Sequence, residues 1–161
     1  MRSPNNLLVS LFLLTALPAL AQENAEQLLE LHNQTRIDGY RCGLLKHQQA
    51  SPLVWNNKLA QAAKRHAKAM ASSKQLSHKL EGSMGQRLSR EDYNWLAVGE
   101  NLLMGFSSAI AAHNAWLKSK SHCKNIMNKL YTEMGAAHYQ NYWVVVFATP
   151  TEENWFFSYA T

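Results

Sequence analysis

The sequence predicts an α+β domain, on three observations. Apolar residues recur at helical spacing through the first half, β-branched and aromatic residues fill two runs around a turn near the end, and the two kinds of segment are not interleaved. Helices first and strands last argue against an alternating parallel fold.

The elements follow in order. Over 23–37, Leu28, Leu29, Leu31 and Ile37 recur at roughly helical spacing and Gly39 stops the run, which predicts a first helix. Residues 40–55 hold Gly43, Ser51 and Pro52 and read as a loop that brings Cys42 to the surface. From Asn56 the pattern is cleaner: Leu59, Ala62, Ala63, His66, Ala67 and Met70 define one buried helical face, with Lys58, Lys64, Arg65 and Lys68 turned away. The stretch 77–99 carries Gly82, Gly85 and Gly99 around Leu88, Tyr93 and Trp95, and reads as a long loop with a helical turn or two. Ser107 or Ser108 would cap a third helix reaching about Lys120, with Ile110, His113 or Asn114, and Leu117 grouped around Trp116. Thr132–Tyr139 and Tyr142–Thr149 then form a buried hairpin across Gln140 and Asn141. The tail 151–161, with Trp155, Phe156, Phe157 and Tyr159, is expected to pack back as an edge strand or to form a partner-binding lip.

The beginning of the chain reads as an export signal. Arg2 precedes the apolar run Leu7–Leu17, Pro18 follows, and Ala19-Leu20-Ala21 supplies a small-residue cleavage site. The run is too short for a membrane span of roughly twenty residues. Residues 1–21 are therefore expected to be a signal peptide and 22–161 a single domain, secreted or periplasmic and expected to be a monomer. The 161 residues carry a formal charge of +5; removal of residues 1–21 takes away one charged residue, Arg2, and leaves a mildly basic domain. The bases are interspersed, so nucleic acid is not an indicated partner, whereas anionic lipid or envelope polymer remains open. Two cysteines in an exported chain make Cys42–Cys123 the default disulfide; free, reactive thiols are the competing reading.

Seven segments now occur in order: LLELHNQTR (28–36), SPLVWNNKLAQAAKRHAKAMA (51–71), LSH (76–78), GENLLMG (99–105), AWLKSKSHCKNIM (115–127), TEMG (132–135) and YWVVVFATP (142–150). Together they resemble the CAP superfamily, or SCP domain, of cysteine-rich secretory proteins, insect antigen 5 and plant pathogenesis-related proteins, with SHCKNIM most like the bacterial-type branch. The resemblance implies a three-layer α-β-α sandwich with a small antiparallel sheet. It also implies a cleft of two histidines and two acidic residues that in several members holds a divalent metal. His78 and Glu100 match that pattern directly. The second acidic position falls on Ser119 and the second histidine position on Asn141, so Glu133 and His122 are the available replacements and complete the candidate tetrad His78, Glu100, His122 and Glu133.

Imidazole and carboxylate are acceptable ligands for a divalent metal such as zinc, and the same pair serves equally as a base with its orienting group. No HExxH helix or CxxC pair is present, so spacing alone does not fix the chemistry. Each residue also has a plain structural reading: His78 as a loop histidine bonded to backbone, Glu100 and Glu133 as buried partners of asparagine or amides, His122 as a pin beside the disulfide. Gly99 would let the backbone come close to a cleft wall at Glu100. His66 is expected in the core or at its rim, while Asn33 and Arg36 read as internal hydrogen-bonding anchors.

There is no GxSxG elbow, and the cysteines are expected to be bridged. The leading expectation is a non-catalytic binding module for an extracellular or envelope ligand, whether lipid, polymer or protein. A His/Glu-dependent or metal-assisted hydrolase and a secreted factor acting by surface contacts are the alternatives.

Overall fold

The computed structural model describes the backbone of residues 16–151 and their side chains from Glu23 onward. The proposed leader up to Thr15 and the tail from Glu152 lie outside the described residues. The elements are α1 (Ala16–Asp38), β1 (Tyr40–Cys42), β2 (Leu45–His47), β3 (Val54–Trp55), α2 (Asn57–Ser73), α3 (Met84–Ser89), β4 (Trp95–Met104), α4 (Ala109–Lys118), α5 (Lys120–Ile126), β5 (Glu133–Tyr139) and β6 (Tyr142–Pro150). Among the described residues no helix is long and apolar enough to cross a membrane.

Four strands form the main sheet in the order β3-β5-β6-β4, with β3 parallel to β5 and the other pairs antiparallel. Because side chains alternate across a sheet, Val144, Val146 and Ala148 of β6 face α2, whereas Trp143, Val145 and Phe147 join α1, α4 and α5 on the other side. The result is the three-layer α-β-α arrangement.

Helix α2 forms because its apolar residues share one stripe and Asn56 caps its start, accepting from Lys58 N at 2.9 Å and Leu59 N at 3.2 Å. It lies so close to the sheet that a Cβ on Gly135 would collide with the backbone nitrogen of Ala60. On the opposite side α1 is anchored by polar side chains as well as by Leu28. Arg36 donates to the carbonyls of Ser51, Ile126, Asn128 and Tyr131 at 2.7–3.0 Å, and Asn33 exchanges two hydrogen bonds with the Leu53 backbone. Both therefore act as the internal anchors expected of them.

His32 and His113 are buried in this same layer, beside Trp116 and Phe147. Thr35 Oγ1 donates to Leu31 O at 3.0 Å, so it accepts from His113 Nε2, also at 3.0 Å. His113 Nδ1 is then an acceptor for His32 Nδ1 at 3.2 Å, which leaves His32 Nε2 as a bare buried lone pair. Burial holds both imidazoles neutral: His113 is lowered to about 4, and His32 well below its ordinary value with repulsion from His113 adding to burial.

Several local expectations are corrected. Residues 40–55 contain three short strands, and Cys42 is wholly buried rather than at the surface. It is bonded to Cys123 with Cα atoms 5.5 Å apart, and no described cysteine is free. The long-loop reading of 77–99 fails at its end, where Trp95 begins the ten-residue strand β4. The third helix is broken after Lys118 into α4 and α5, and Ile110, expected on its inner face, is half exposed.

Candidate functional site

β4 is an edge strand, and the candidate site is built on it. Glu100 lies opposite Val146, so its side chain points to the α2 face; Asn101 lies opposite Val145 and points to the α5 face. An edge strand needs cover for its free backbone groups. Here α5 supplies it: Asn125 Nδ2 donates to Glu100 O at 3.3 Å and to Asn101 Oδ1 at 2.9 Å, and Asn101 Nδ2 donates to His122 O at 3.1 Å. That lattice fixes His122 relative to Glu100.

The Glu100 carboxylate is almost wholly buried and accepts on both oxygens. His78 Nδ1 reaches Oε1 at 2.8 Å, and Arg87 Nη2 reaches Oε2 at 2.6 Å. Arg87 is itself buried, and its Nη1 donates to the carbonyls of His78, Leu80 and Gly82. One guanidinium therefore neutralises the carboxylate and pins the loop that presents His78. From α2, His66 approaches with Nε2 3.9 Å from Glu100 Oε2; both of its ring nitrogens are buried without a hydrogen bond. Burial lowers the His66 pKa, partly offset by Glu100 and reinforced by Arg87.

A carboxylate in an ion pair can only accept, so His78 Nδ1 carries the proton that it shares with Glu100. Its Nε2 is then free to accept in the neutral ring, and 58% of the side chain is open to solvent. His122 is partly buried on α5 and close enough to His78 to feel its charge. Burial first and His78 second lower its pKa, which leaves it a neutral donor-acceptor ring at neutral pH.

Glu133 is held elsewhere. It stands on the same sheet face but on β5, opposite Ala148, where Tyr93 OH donates to its Oε2 at 2.7 Å and Asn56 Nδ2 at 3.0 Å. Since Asn56 caps α2, Glu133 braces a helix start; burial and this carboxylate push the Tyr93 phenol pKa upward. No hydrogen bond or ion pair among the described residues joins Glu133 to His78, Glu100 or His122. Of the four candidates, His78 and Glu100 are in direct contact at the β4 edge, His122 is tied to that strand through its backbone carbonyl, and Glu133 is held by Tyr93 and Asn56 on β5. Ser119 sits at the α4–α5 junction with its hydroxyl near Ser121, and Asn141 lies in the β5–β6 turn, at the end of the sheet where Tyr142 pairs with Met104.

Arg87 was missed by sequence reasoning, as was the approach of His66 to Glu100. A local signal for Arg87 existed: Ser83 and Gln86 form a capping box, which starts α3 and puts Arg87 on its inner face. Gly99 does permit a close approach, but by Tyr131, whose hydroxyl donates to Val98 O at 3.0 Å and would collide with any Cβ there.

These residues as arranged do not form a zinc site. Among the described residues no three His, Cys, Asp or Glu side chains converge on a point where an ion could sit, and zinc takes at least three protein ligands. Arg87 already supplies the positive charge against Glu100.

Fold and site define an α-β-α domain in which a buried carboxylate on the edge strand of the sheet orients a solvent-exposed histidine. A model of the CAP family, the cysteine-rich secretory protein family, matches residues 29–147, and the chain belongs to that family. The uncharacterized membrane protein YlbC of Bacillus subtilis is 30% identical over 120 residues, covering 73% of this chain and 32% of that protein. An extracellular protein containing a SCP domain from Bacillus anthracis is 27% identical with a TM-score of 0.70, covering 80% of this chain and 41% of that one. An outer surface protein from Borrelia burgdorferi shares the fold at 22% identity and a TM-score of 0.62, covering 78% of this chain and 89% of that one. This chain thus spans about a third of the Bacillus subtilis relative and about two fifths of the Bacillus anthracis protein.

Proposed function

We propose that this chain is an exported, non-catalytic binding module of the CAP family that holds a polar ligand group between His78 and His122. The observation that carries the reading is the commitment of Glu100: buried, with one oxygen on Arg87 and the other on His78, it serves to orient an imidazole. What remains outward-facing is His78 Nε2, an acceptor in the neutral ring, and the neutral ring of His122, which can donate or accept according to the ligand. The signal-like segment 1–21, the buried disulfide and the extracellular character of the Bacillus anthracis relative support a secreted or surface location.

A fragment set of small carboxylates, amides and polyols, followed by imidazole resonances in NMR, tests this reading. Hits should shift His78 and His122 together and should be lost in His78→Ala with the fold intact. Fragments that bind the variant as well as the parent would refute it.

A hydrolase is the second reading, favoured by the same 2.8 Å contact, since a carboxylate-oriented imidazole is a general base in form. It predicts peptide or ester turnover that Glu100→Gln abolishes.

A further inference from the structure

We propose that the β1–β2 hairpin is a docking element for an anionic lipid bilayer surface. The hairpin turns at Gly43 and Leu44, with Cys42 opposite Leu45, and Gly43 takes the left-handed conformation at φ 66°. A two-residue turn with glycine first places no demand for an apolar residue second. Yet Leu44 stands at the tip with 93% of its surface exposed, and Leu45 beside it with 53%. Two adjacent leucines held in water on a protruding turn mark a contact surface rather than core.

The charges around them have one sign. Arg41 lies directly across the ladder from Lys46, a like-charged pair that weakens a two-stranded sheet unless something negative covers it. Lys120 lays its methylenes 3.6–3.9 Å from where a Cβ on Gly43 would stand, adding a third cation at the tip. The sequence has no Asp or Glu from Gly39 to Leu80 or from Asn101 to Thr132, the two stretches that build this corner. The acidic residue nearest in sequence, Asp38, is at the base of the hairpin and accepts from Gln34.

An apolar tip inside a basic collar matches a lipid interface, where leucines enter the headgroup–acyl boundary and cations stay at phosphate level. A protein partner would need about 800 Å² per side, far more than two leucines offer, and a soluble polyanion would leave the leucines in water. The tip is also presented rigidly: the Cys42–Cys123 disulfide ties β1 to α5, so docking orders little that is not already ordered. This inference is independent of the histidine site.

The test is flotation of the protein, purified from the exporting cell in the form that cell releases, with neutral phosphatidylcholine vesicles and with vesicles made about one-third phosphatidylglycerol. Binding should require the anionic lipid and weaken with salt. The double change Leu44→Ser and Leu45→Ser should reduce it at least about ten-fold. Arg41→Gln with Lys46→Gln should reduce it roughly thirty-fold at low salt. Circular dichroism of each variant should match the parent. Undiminished binding by the serine variant, equal binding to neutral vesicles, or retention on immobilised heparin with none on vesicles would overturn the proposal. So would a dimer in the ultracentrifuge that the serine variant abolishes.

Discussion

Arg87 and Glu100 form an ion pair at 2.6 Å with their side chains only 4% and 3% exposed, and that pair supports the loop carrying His78 from below. A buried pair is costly to break from one side, because the remaining charge has no solvent to return to. Arg87→Met is therefore expected to destabilise the domain by about 3–5 kcal/mol in urea unfolding. Adding Glu100→Gln should recover part of that loss, and a double-mutant cycle that came out additive would mean that the two side chains do not interact.

The buried histidines set an acid limit. Folded His113 and His32 stay below the ordinary value of 6.5, whereas the unfolded chain takes up protons near it. The unfolded state thus binds more protons as pH falls. Stability from this pair should be complete above about pH 6.5 and decline below it, by up to about 1.4 kcal/mol per pH unit for each histidine. His66, His122 and His138 are shifted the same way and add to the trend. Denaturant midpoints at pH 7.5, 6 and 5 check the sign, which a rise on acidification would reverse.

The disulfide closes a separation of 81 residues. Replacing both cysteines with alanine should cost about 4–5 kcal/mol on the chain-entropy account. Amide exchange should rise first in the hairpin and α5, the two elements the bridge joins, and later in α2. Early loss of protection over 57–73 would place the support elsewhere.

Gly135→Ala tests the closeness of α2 to the sheet. Because the added methyl meets the Ala60 backbone rather than a side-chain end that can move aside, overpacking should cost more than about 3 kcal/mol or prevent folding. A stable alanine variant would show that α2 can lift.

How far the sequence revealed this molecule depends on the element. The face of α2 was legible residue by residue, because a single stripe against a sheet leaves a 3.6-residue period. The β5–β6 pair was legible for the opposite reason: a strand buried on both faces, such as Trp143–Ala148, reads as one apolar run. β4 was not, since its N-terminal residues are exposed, its glycine looks like loop punctuation, and its outer edge is covered by Asn125 from a distant helix. Within the site, His78, Glu100 and His122 came from motif order. Glu133 braces the cap of α2, and a carboxylate in that role looks in sequence like one lining a cleft. The capping box marks Arg87 as an inner residue of α3, but its role shows only in the carbonyls of His78, Leu80 and Gly82 that fold around it.

The central claim is that His78 and His122 share one site beside Glu100, and NMR titration of the His122 imidazole tests it most directly. His78→Gln removes the charge that helps to lower the His122 pKa, so that pKa should rise in the variant while burial still keeps it below 6.5. An unchanged His122 titration in a folded His78→Gln protein would contradict the account.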